Sequence, residues 1–287
     1  MSAPVTNAFA KGHALGNDYL VVEPACLSFA LTPAMVGRLC DRHRGVGGDG
    51  VLALVPSEHA DAGLRIYNPD GSEAEKSGNG LRIFARWLVE SGKVAGDRFR
   101  VETPGGIVEC RVNREDGRIV DINVDMGRAS FRSADVPCSG PSREVVAESV
   151  EVAGTVLRVT AVGIGNPHCV VFVDDPATAD LQRLGPALEH HPLFPRRTNV
   201  QLARVVGPRR VRVRVWERAV GETLASGSSA CAVAAACVRL GYTDRAVTVV
   251  MDGGLLHLQV DEGYRVQLSG DTTLVYRGTL AAAFAAS

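Results

Sequence analysis

The 287-residue chain is long enough for one large domain or two of ordinary size, and its 46% hydrophobic content allows a substantial core. Lys+Arg number 31 against 32 Asp+Glu, a formal net charge of −1 with both signs mixed along the chain. That balance, with no basic stripe, argues against nucleic acid or an acidic membrane as a partner.

Met1 to Ala10 lacks a charged start followed by a long apolar stretch, so no signal peptide is expected and a cytoplasmic location is predicted. Thr32-Pro33 ahead of Ala34 to Leu39 predicts an N-cap with proline at the first helical position. Gly45-Val46-Gly47-Gly48-Asp49-Gly50 satisfies GxGxxG, yet a helix precedes it and the strand Val51 to Val55 follows. A dinucleotide site needs the reverse order, so a tight turn is predicted. Leu64 to Tyr67 alternates as a strand does, and after Ser77-Gly78-Asn79-Gly80 the chain turns helical. Leu81, Phe84, Ala85 and Leu88 recur at i, i+3, i+4 and i+7, and Gly92 ends the run. Arg128 to Glu151, rich in Ser, Pro and charge, is expected to be a linker. Val211 to Trp216 alternates again. Ser226-Gly227-Ser228-Ser229 then opens Ala230 to Leu240, a helix apolar nearly all round and therefore buried on every side. The apolar run within it, Ala230 to Val238, is too short to span a bilayer. The seven cysteines (Cys26, Cys40, Cys110, Cys138, Cys169, Cys231 and Cys237) form no CxxC pair, so neither a disulfide framework nor a metal site is indicated.

The chain is written twice. Leu64 to Gly92 lies on Val213 to Gly241 without a gap at an offset of 149 residues, the spacing of Ser77 and Ser226. Arg65 falls on Arg214, Tyr67 on Trp216, Glu73 on Glu222 and Gly92 on Gly241. The same offset carries Gly16-Asn17 onto Gly165-Asn166 and Val51 onto Val200; Gly105-Gly106 meets Gly253-Gly254 with a one-residue slip. Several segments in one register mark a duplicated domain, with copies near 7–127 and 156–272. Mixed strands around two internal helices give an α+β fold class.

Each copy therefore reads strand, acidic residue, Ser-Gly loop, buried helix. The start of a buried helix offers free N–H groups and the positive end of a dipole, so it holds an anion without a dedicated cation. Two such helices facing one ligand would grip a carboxylate from both sides and bring Ser77 and Ser226 to opposite faces of a carbon. An isolated Ser-Gly loop is ordinarily a turn with a helix cap, and only the duplication shifts the balance toward a site.

Ala14-Leu15-Gly16-Asn17-Asp18, Leu39-Cys40-Asp41-Arg42-His43, Asn68-Pro69-Asp70-Gly71-Ser72-Glu73, Ser77-Gly78-Asn79-Gly80, Gly165-Asn166-Pro167-His168 and Trp216-Glu217-Arg218 resemble diaminopimelate epimerases, in order from about residue 8 to 280. The resemblance implies that family's fold, two pseudo-symmetric duplicated domains each with mixed strands around a central helix. The N-terminal repeat would span 1–130, the C-terminal repeat 131–273, and a segment at 274–287 would cross back to the first. It implies a cofactor-independent isomerase that interconverts LL- and meso-2,6-diaminopimelate, a small amino-acid substrate, through one base from each half, and a homodimer. Carried over by position, Ser77 and Ser226 are the catalytic pair. Asn17, Asn68, Gly78, Asn79, Asn166, Asn199, Glu217, Arg218, Gly227 and Ser228 bind substrate. Backbone groups of Gly78, Asn79, Gly227 and Ser228 hold the reacting carboxylate, and Asn68, Asn166, Asn199 and Arg218 recognise the distal end. No PLP is expected, since Lys76 reads as an exposed loop lysine rather than a Schiff-base residue.

This sequence departs from the family where the chemistry is concentrated, because both positions of the family's catalytic cysteines carry serine. A thiol with a pKa of about 8.5 gives a thiolate near neutrality, whereas a serine hydroxyl is a poor base unless activated. Cys231 and Cys237 lie within the helix and read as inert buried thiols. Three explanations stay open: serines working with a helper such as His168 or Glu217, a binding relative without turnover, and an engineered double Cys→Ser form. An isomerase of another amino acid is a further alternative.

Overall fold

The computed structural model describes residues 4–286; Met1 to Ala3, part of the N-terminal stretch inspected for a leader, and Ser287 lie outside that range. The chain divides into two compact units, one of residues 1–124 and 270–287, the other of residues 125–269. No helix among the described residues is long and apolar enough to cross a membrane.

The first unit runs β1 (Ala8–Ala14), β2 (Asn17–Val22), α1 (Pro33–Cys40), β3 (Val51–Val55), β4 (Ala62–Tyr67), β5 (Glu73–Ala74), α2 (Gly78–Glu90), β6 (Arg98–Thr103), β7 (Gly106–Glu115) and β8 (Arg118–Arg128). β8 carries the chain into the second unit. There follow β9 (Glu148–Val152), β10 (Thr155–Gly163), β11 (Pro167–Phe172), α3 (Leu181–Glu189), β12 (Asn199–Gly207), β13 (Arg210–Glu217), β14 (Gly221–Thr223), α4 (Gly227–Arg239), β15 (Ala246–Met251), β16 (Gly254–Val260) and β17 (Arg265–Gly270). β18 (Thr273–Thr279) and α5 (Ala282–Ala286) complete the first unit, with β18 antiparallel to β1.

The duplication holds at the level of individual residue pairs. β2 pairs parallel with β3 at Leu20↔Val51, and β11 with β12 at Cys169↔Val200. Val51↔Tyr67 in one unit is Val200↔Trp216 in the other, and Tyr67↔Glu73 is Trp216↔Glu222. The one-residue slip falls after the central helix: Thr103↔Gly106 recurs as Met251↔Gly254. Both helices α2 and α4 have 13 residues. Both also end alike, on a left-handed glycine (Gly92, φ 63°; Gly241, φ 71°) whose successor's N–H reaches back to the carbonyl of Leu88 or Cys237 at 2.9 Å.

In each unit the strands curl around the central helix. α2 packs on β1, β2, β7 and β18; α4 packs on β10, β11, β12, β13, β15 and β16. The period of two decides what faces what. In β13, Val211, Val213 and Val215 are buried while Arg210 and Arg212 are exposed. In β12, Val200 and Leu202 join Cys169, Val171, Leu181, Leu184 and Leu188 in a core under α3, on the opposite side of the strand from Gln201. The matching core of the first unit puts Leu20, Val51 and Ala53 against Val36 and Leu39 of α1. Leu81, Phe84, Ala85 and Leu88 are fully buried, as the helical spacing predicts, each large side chain contributing roughly 1.5–3 kcal/mol by leaving water. Small residues let α4 sit inside its sheet: Ala230 and Ala232 to Cys237 are buried without exception. Thr32 caps α1 as read, its Oγ1 accepting from the Met35 N–H at 3.2 Å, and Gly45 to Gly50 form the turn between α1 and β3.

One expectation is corrected. Arg128 to Glu151 is not a loose linker: Ser130 bridges to Gly163 and Arg132 to Glu144. Phe131, Val136 and Val145 are buried, the two valines within the second unit's core. These three apolar residues are too widely spaced among Ser, Pro and Arg to register as an element, yet each finds a hydrophobic neighbour.

Candidate active site

Ser77 and Ser226 occupy the N-cap positions of α2 and α4 with nearly the same backbone, φ −138°, ψ 119° and φ −142°, ψ 124°. An N-cap residue is extended while the next is helical, so the N–H groups of the first turn point past its side chain. Gly78, Asn79 and Gly227, three of the four backbone positions assigned to the reacting carboxylate, are buried in those first turns, with Ser228 at the fourth. Local chemistry differs between the units. The Ser77 Oγ accepts from the Gly80 N–H at 3.0 Å, whereas Ser226 makes no cap bond and its Oγ lies 3.5 Å from that of Ser228.

In the first unit a chain of side chains joins the β1–β2 turn to the helix start. Leu15 (φ 55°) and Gly16 (φ 86°) both take left-handed backbone, the signature of a two-residue type I′ hairpin, and Asn17 leaves that turn. The Asn17 amide donates to Asp49 at 2.9 Å, its Oδ1 accepts from the Asn79 amide at 3.1 Å, and Asn79 Oδ1 accepts from Arg82 at 3.0 Å. Arg82 is fully buried and also donates to the Gly78 carbonyl at 3.2 Å. Beyond Asp49, Arg42 bridges Asp49 and Asp18, each at 2.7 Å, and Lys11 reaches Asp18 at 2.8 Å. Burial opposes ionisation of Asp18, but hydrogen bonds from Arg42 and Lys11 outweigh it and hold the carboxyl at about 2. Asn68 is in the β4–β5 turn, its amide donating to Ser72 Oγ at 2.9 Å.

The second unit solves the same problem with different residues. Asn166, the counterpart of Asn17, bonds through Oδ1 to His168 Nε2 at 2.7 Å. Gln201 Nε2 lies 3.0 Å from both His168 Nδ1 and Ser229 Oγ in the first turn of α4. The Asn166 carbonyl oxygen needs a donor and Gln201 supplies one, so the imidazole is neutral with its proton on Nε2. Burial, and secondarily the Arg218 charge, push the His168 pKa down to about 3. Both ring nitrogens are thus committed away from Ser226, which does not suit the helper role considered for this histidine.

Asn199 is tied to backbone at both ends of its amide, donating to the Pro167 carbonyl at 2.9 Å and accepting from the Arg218 N–H at 2.9 Å. Glu217 accepts from Thr223 Oγ1 at 2.9 Å. Beneath this hairpin lies Glu189, 4% exposed. It accepts from Trp216 Nε1 at 2.8 Å and from the Ala219 N–H at 3.0 Å, and Ala219 has a φ of 65°.

Asp49, Arg82, Glu189 and Gln201 were not singled out from sequence. A signal existed for two of them. Gln201 is a polar residue set between Val200 and Leu202 of β12, and Arg82 a lone cation among Leu81, Ile83 and Phe84. No group of three or more His, Cys, Asp or Glu among the described residues is arranged to hold a metal ion.

A family model described as diaminopimelate epimerase matches residues 9–132 and 160–275, spanning most of both units. The diaminopimelate epimerase of Pelotomaculum thermopropionicum is 45% identical over 274 residues, covering 94% of this chain and 97% of the relative. That of Heliobacterium modesticaldum is 44% identical over 277 residues, covering 95% and 99%. A solved structure of a probable proline racemase from Agrobacterium radiobacter has a TM-score of 0.71 at 16% identity, covering 96% of this chain and 93% of that one, a likeness of fold alone. With two relatives above 40% identity over nearly the whole length and the family model on both halves, the chain belongs to the diaminopimelate epimerase family.

Proposed function

We propose that this protein is an isomerase that interconverts LL- and meso-2,6-diaminopimelate without PLP, as a cytoplasmic homodimer serving lysine and peptidoglycan precursor synthesis. The observation that carries the reading is the repeated N-cap. Two buried helices, each opening on a serine with the same backbone geometry, offer N–H groups suited to the α-carboxylate. In the reaction one side chain takes the Cα proton while the electron pair stays on carbon and spreads into that carboxylate. The other side chain returns a proton to the opposite face, so the configuration inverts with no net change in atoms or electrons. The N–H groups favour the developing negative charge. Asn17 and Asn166 are held by their networks to meet polar substrate groups, and Arg218 suits the distal carboxylate because its planar fork can donate two parallel hydrogen bonds.

Serine at both base positions favours a second reading, a protein that binds the same ligand and does not turn over. Each pKa unit by which an alcohol exceeds a thiol costs about 1.4 kcal/mol of proton-transfer driving force. Proton NMR of LL-diaminopimelate in D₂O separates the two. Loss of the α-proton signal with the protein as it stands establishes serine-based exchange. Exchange only by the Ser77→Cys/Ser226→Cys variant keeps fold and substrate and removes turnover from this chain. Exchange by neither refutes the substrate assignment.

A further inference from the structure

The second unit carries a surface that its sister copy lacks. Side chains of β12 alternate across the sheet, so Arg204 shares the side of Val200 and Leu202, in the core under α3, and not that of Gln201. Beyond that cover Arg204 is exposed. Its cross-strand partner in β13 is Arg212, also exposed, and Arg210 stands two residues away on the same side of that strand. Thr248 and Val250 of β15 pair with Arg210 and Arg212, and His257 and Leu255 of β16 continue the two rows. Among the described residues, none of the three guanidinium groups has a hydrogen bond or an ion pair. Asp252 lines one hollow with Arg210 and Arg212, and Asp174 lines another with Arg204, but neither comes within ion-pair reach.

Like charges directly opposite each other on a sheet are destabilising. The fold does not require them, because at the 149-residue offset Arg204↔Arg212 becomes Val55↔Gly63, and Arg210 becomes Asp61. An aromatic pair beside the arginines is equally particular to this unit. Phe172 and Tyr242 meet edge to face at 5.0 Å and line a hollow with Arg204, whereas their counterparts Glu23 and Lys93 form an ion pair at 2.8 Å. Tyr242, Val206 and Leu255 are exposed large side chains on or beside this surface.

We infer that this face of the second unit, centred on Arg204 and Arg212, docks a partner protein that presents carboxylates around an apolar residue. A guanidinium fork takes a carboxylate through paired hydrogen bonds, and the partner's negative charge removes the repulsion between the facing arginines. Arginine and tyrosine set against exposed aliphatic side chains is the composition of an interface centre. β12, β13, β15 and β16 together make the face about 15 Å wide, broader than one small anion. A nucleic acid would meet the same arginines, but Val206, Val250 and Leu255 offer nothing to a phosphate backbone, and the chain's net charge of −1 opposes it. No residue of this face is among those assigned to substrate, so docking stands whether or not the protein turns over.

The probe is a fluorescein-labelled peptide, Glu-Ser-Glu-Ser-Leu-Ser-Glu-Ser-Glu, whose alternate residues present carboxylates around a leucine when extended. Its binding to the full chain is followed by fluorescence anisotropy at low salt, and a benzophenone derivative, cross-linked by light and located by mass spectrometry, reports the site. Saturable binding is expected, with cross-links on β12, β13 and β16. Arg204→Glu/Arg212→Glu should weaken it by about tenfold or more. Arg111→Glu/Arg118→Glu, the same change of charge made in the first unit, should leave it unaltered. Arg204→Val, which installs the sister residue, tests for a merely structural role: its thermal midpoint should not fall, since a repulsion is relieved. Absence of binding, cross-links elsewhere, equal losses in both charge-reversed variants, or a lower midpoint for Arg204→Val overturns the inference. A labelled oligothymidylate that binds as tightly as the peptide, and is lost by the same reversal at Arg204 and Arg212, overturns it too by giving the face to nucleic acid.

Discussion

His168 and Asn166 are joined by a 2.7 Å hydrogen bond from Nε2 to Oδ1, a contact that fixes the imidazole tautomer and the orientation of the amide together. Because the ring is fully buried and its pKa is held at about 3, the folded protein refuses a proton that the unfolded chain accepts near 6.5. The unfolded state therefore binds more protons between those values, and stability falls as pH drops from about 6.5 toward 3, by up to about 1.4 kcal/mol per pH unit from this group. Urea titrations at pH 7 and pH 5 should show a loss of about 2 kcal/mol that His168→Gln removes. A variant as pH-sensitive as the parent would mean that His168 is not the group responsible.

Asp49 performs the equivalent service for Asn17. Its Oδ2 accepts from the Asn17 amide at 2.9 Å and from the Asp18 N–H at 3.1 Å. Asp49→Ala should leave the Asn17 amide held only through its Oδ1, by the Asn79 amide, and weaken ligand binding by about 1–2 kcal/mol, roughly tenfold, as expected for losing a charge-assisted hydrogen bond. Asp49→Asn keeps an acceptor in place and should lose less. Calorimetric titration with diaminopimelate distinguishes the pair, and equal affinities for both variants would show that Asn17 does not depend on this anchor.

The residues that the sequence makes legible are those with a repeated or periodic signature. Ser77 and Ser226 align because strand, loop and helix recur in one register, and that register reappears residue for residue as Val51↔Tyr67 and Val200↔Trp216. The supporting shell is a different matter. The duplication places Asn17 opposite Asn166, but one is held by Asp49 and the other by His168, and nothing at offset 149 equates those two. Each unit met the same requirement, a donor or acceptor at the right point, with unrelated chemistry. Glu189 was invisible for another reason: a glutamate at the end of an amphipathic helix looks solvated until Trp216 and the Ala219 N–H are seen to close over it. The region from Arg128 to Glu151 misled because its Ser, Pro and charged content outweighs scattered apolar residues, Phe131, Val136 and Val145 among them, although burial follows contact rather than average composition.

Gly185 of α3 faces the Trp216 indole so closely that an added Cβ would stand 2.5 Å from its Cδ2. Gly185→Ala must therefore displace the tryptophan or tilt the helix, an overpacking cost of about 1–3 kcal/mol. Trp216 immediately precedes Glu217 and Arg218, so the strain should reach the hairpin that carries them. A lower thermal midpoint together with weaker diaminopimelate binding is expected. Loss of stability with unchanged affinity would show that the hairpin holds its shape independently of α3.

Glu189 supplies the sharpest test of how that hairpin is held. One carboxylate oxygen takes the indole N–H and the other takes the backbone N–H of Ala219, next to Arg218. Glu189→Gln keeps size and shape but replaces one acceptor by an amide NH₂, which then faces either the indole or the backbone donor. A buried donor left without its acceptor costs about 1–3 kcal/mol, and the turn at Ala219, already in left-handed backbone, is the softer of the two places to yield. Arg218 would then lose its fixed orientation while Asn17, Asn166 and both serines keep theirs. The expected signature is selective. Affinity for diaminopimelate should fall about tenfold or more, while a short amino acid lacking the distal carboxylate should bind the variant as it binds the parent. Equal losses for both ligands would place the effect of Glu189 in the general stability of the second unit, and no loss for either would sever it from Arg218 altogether.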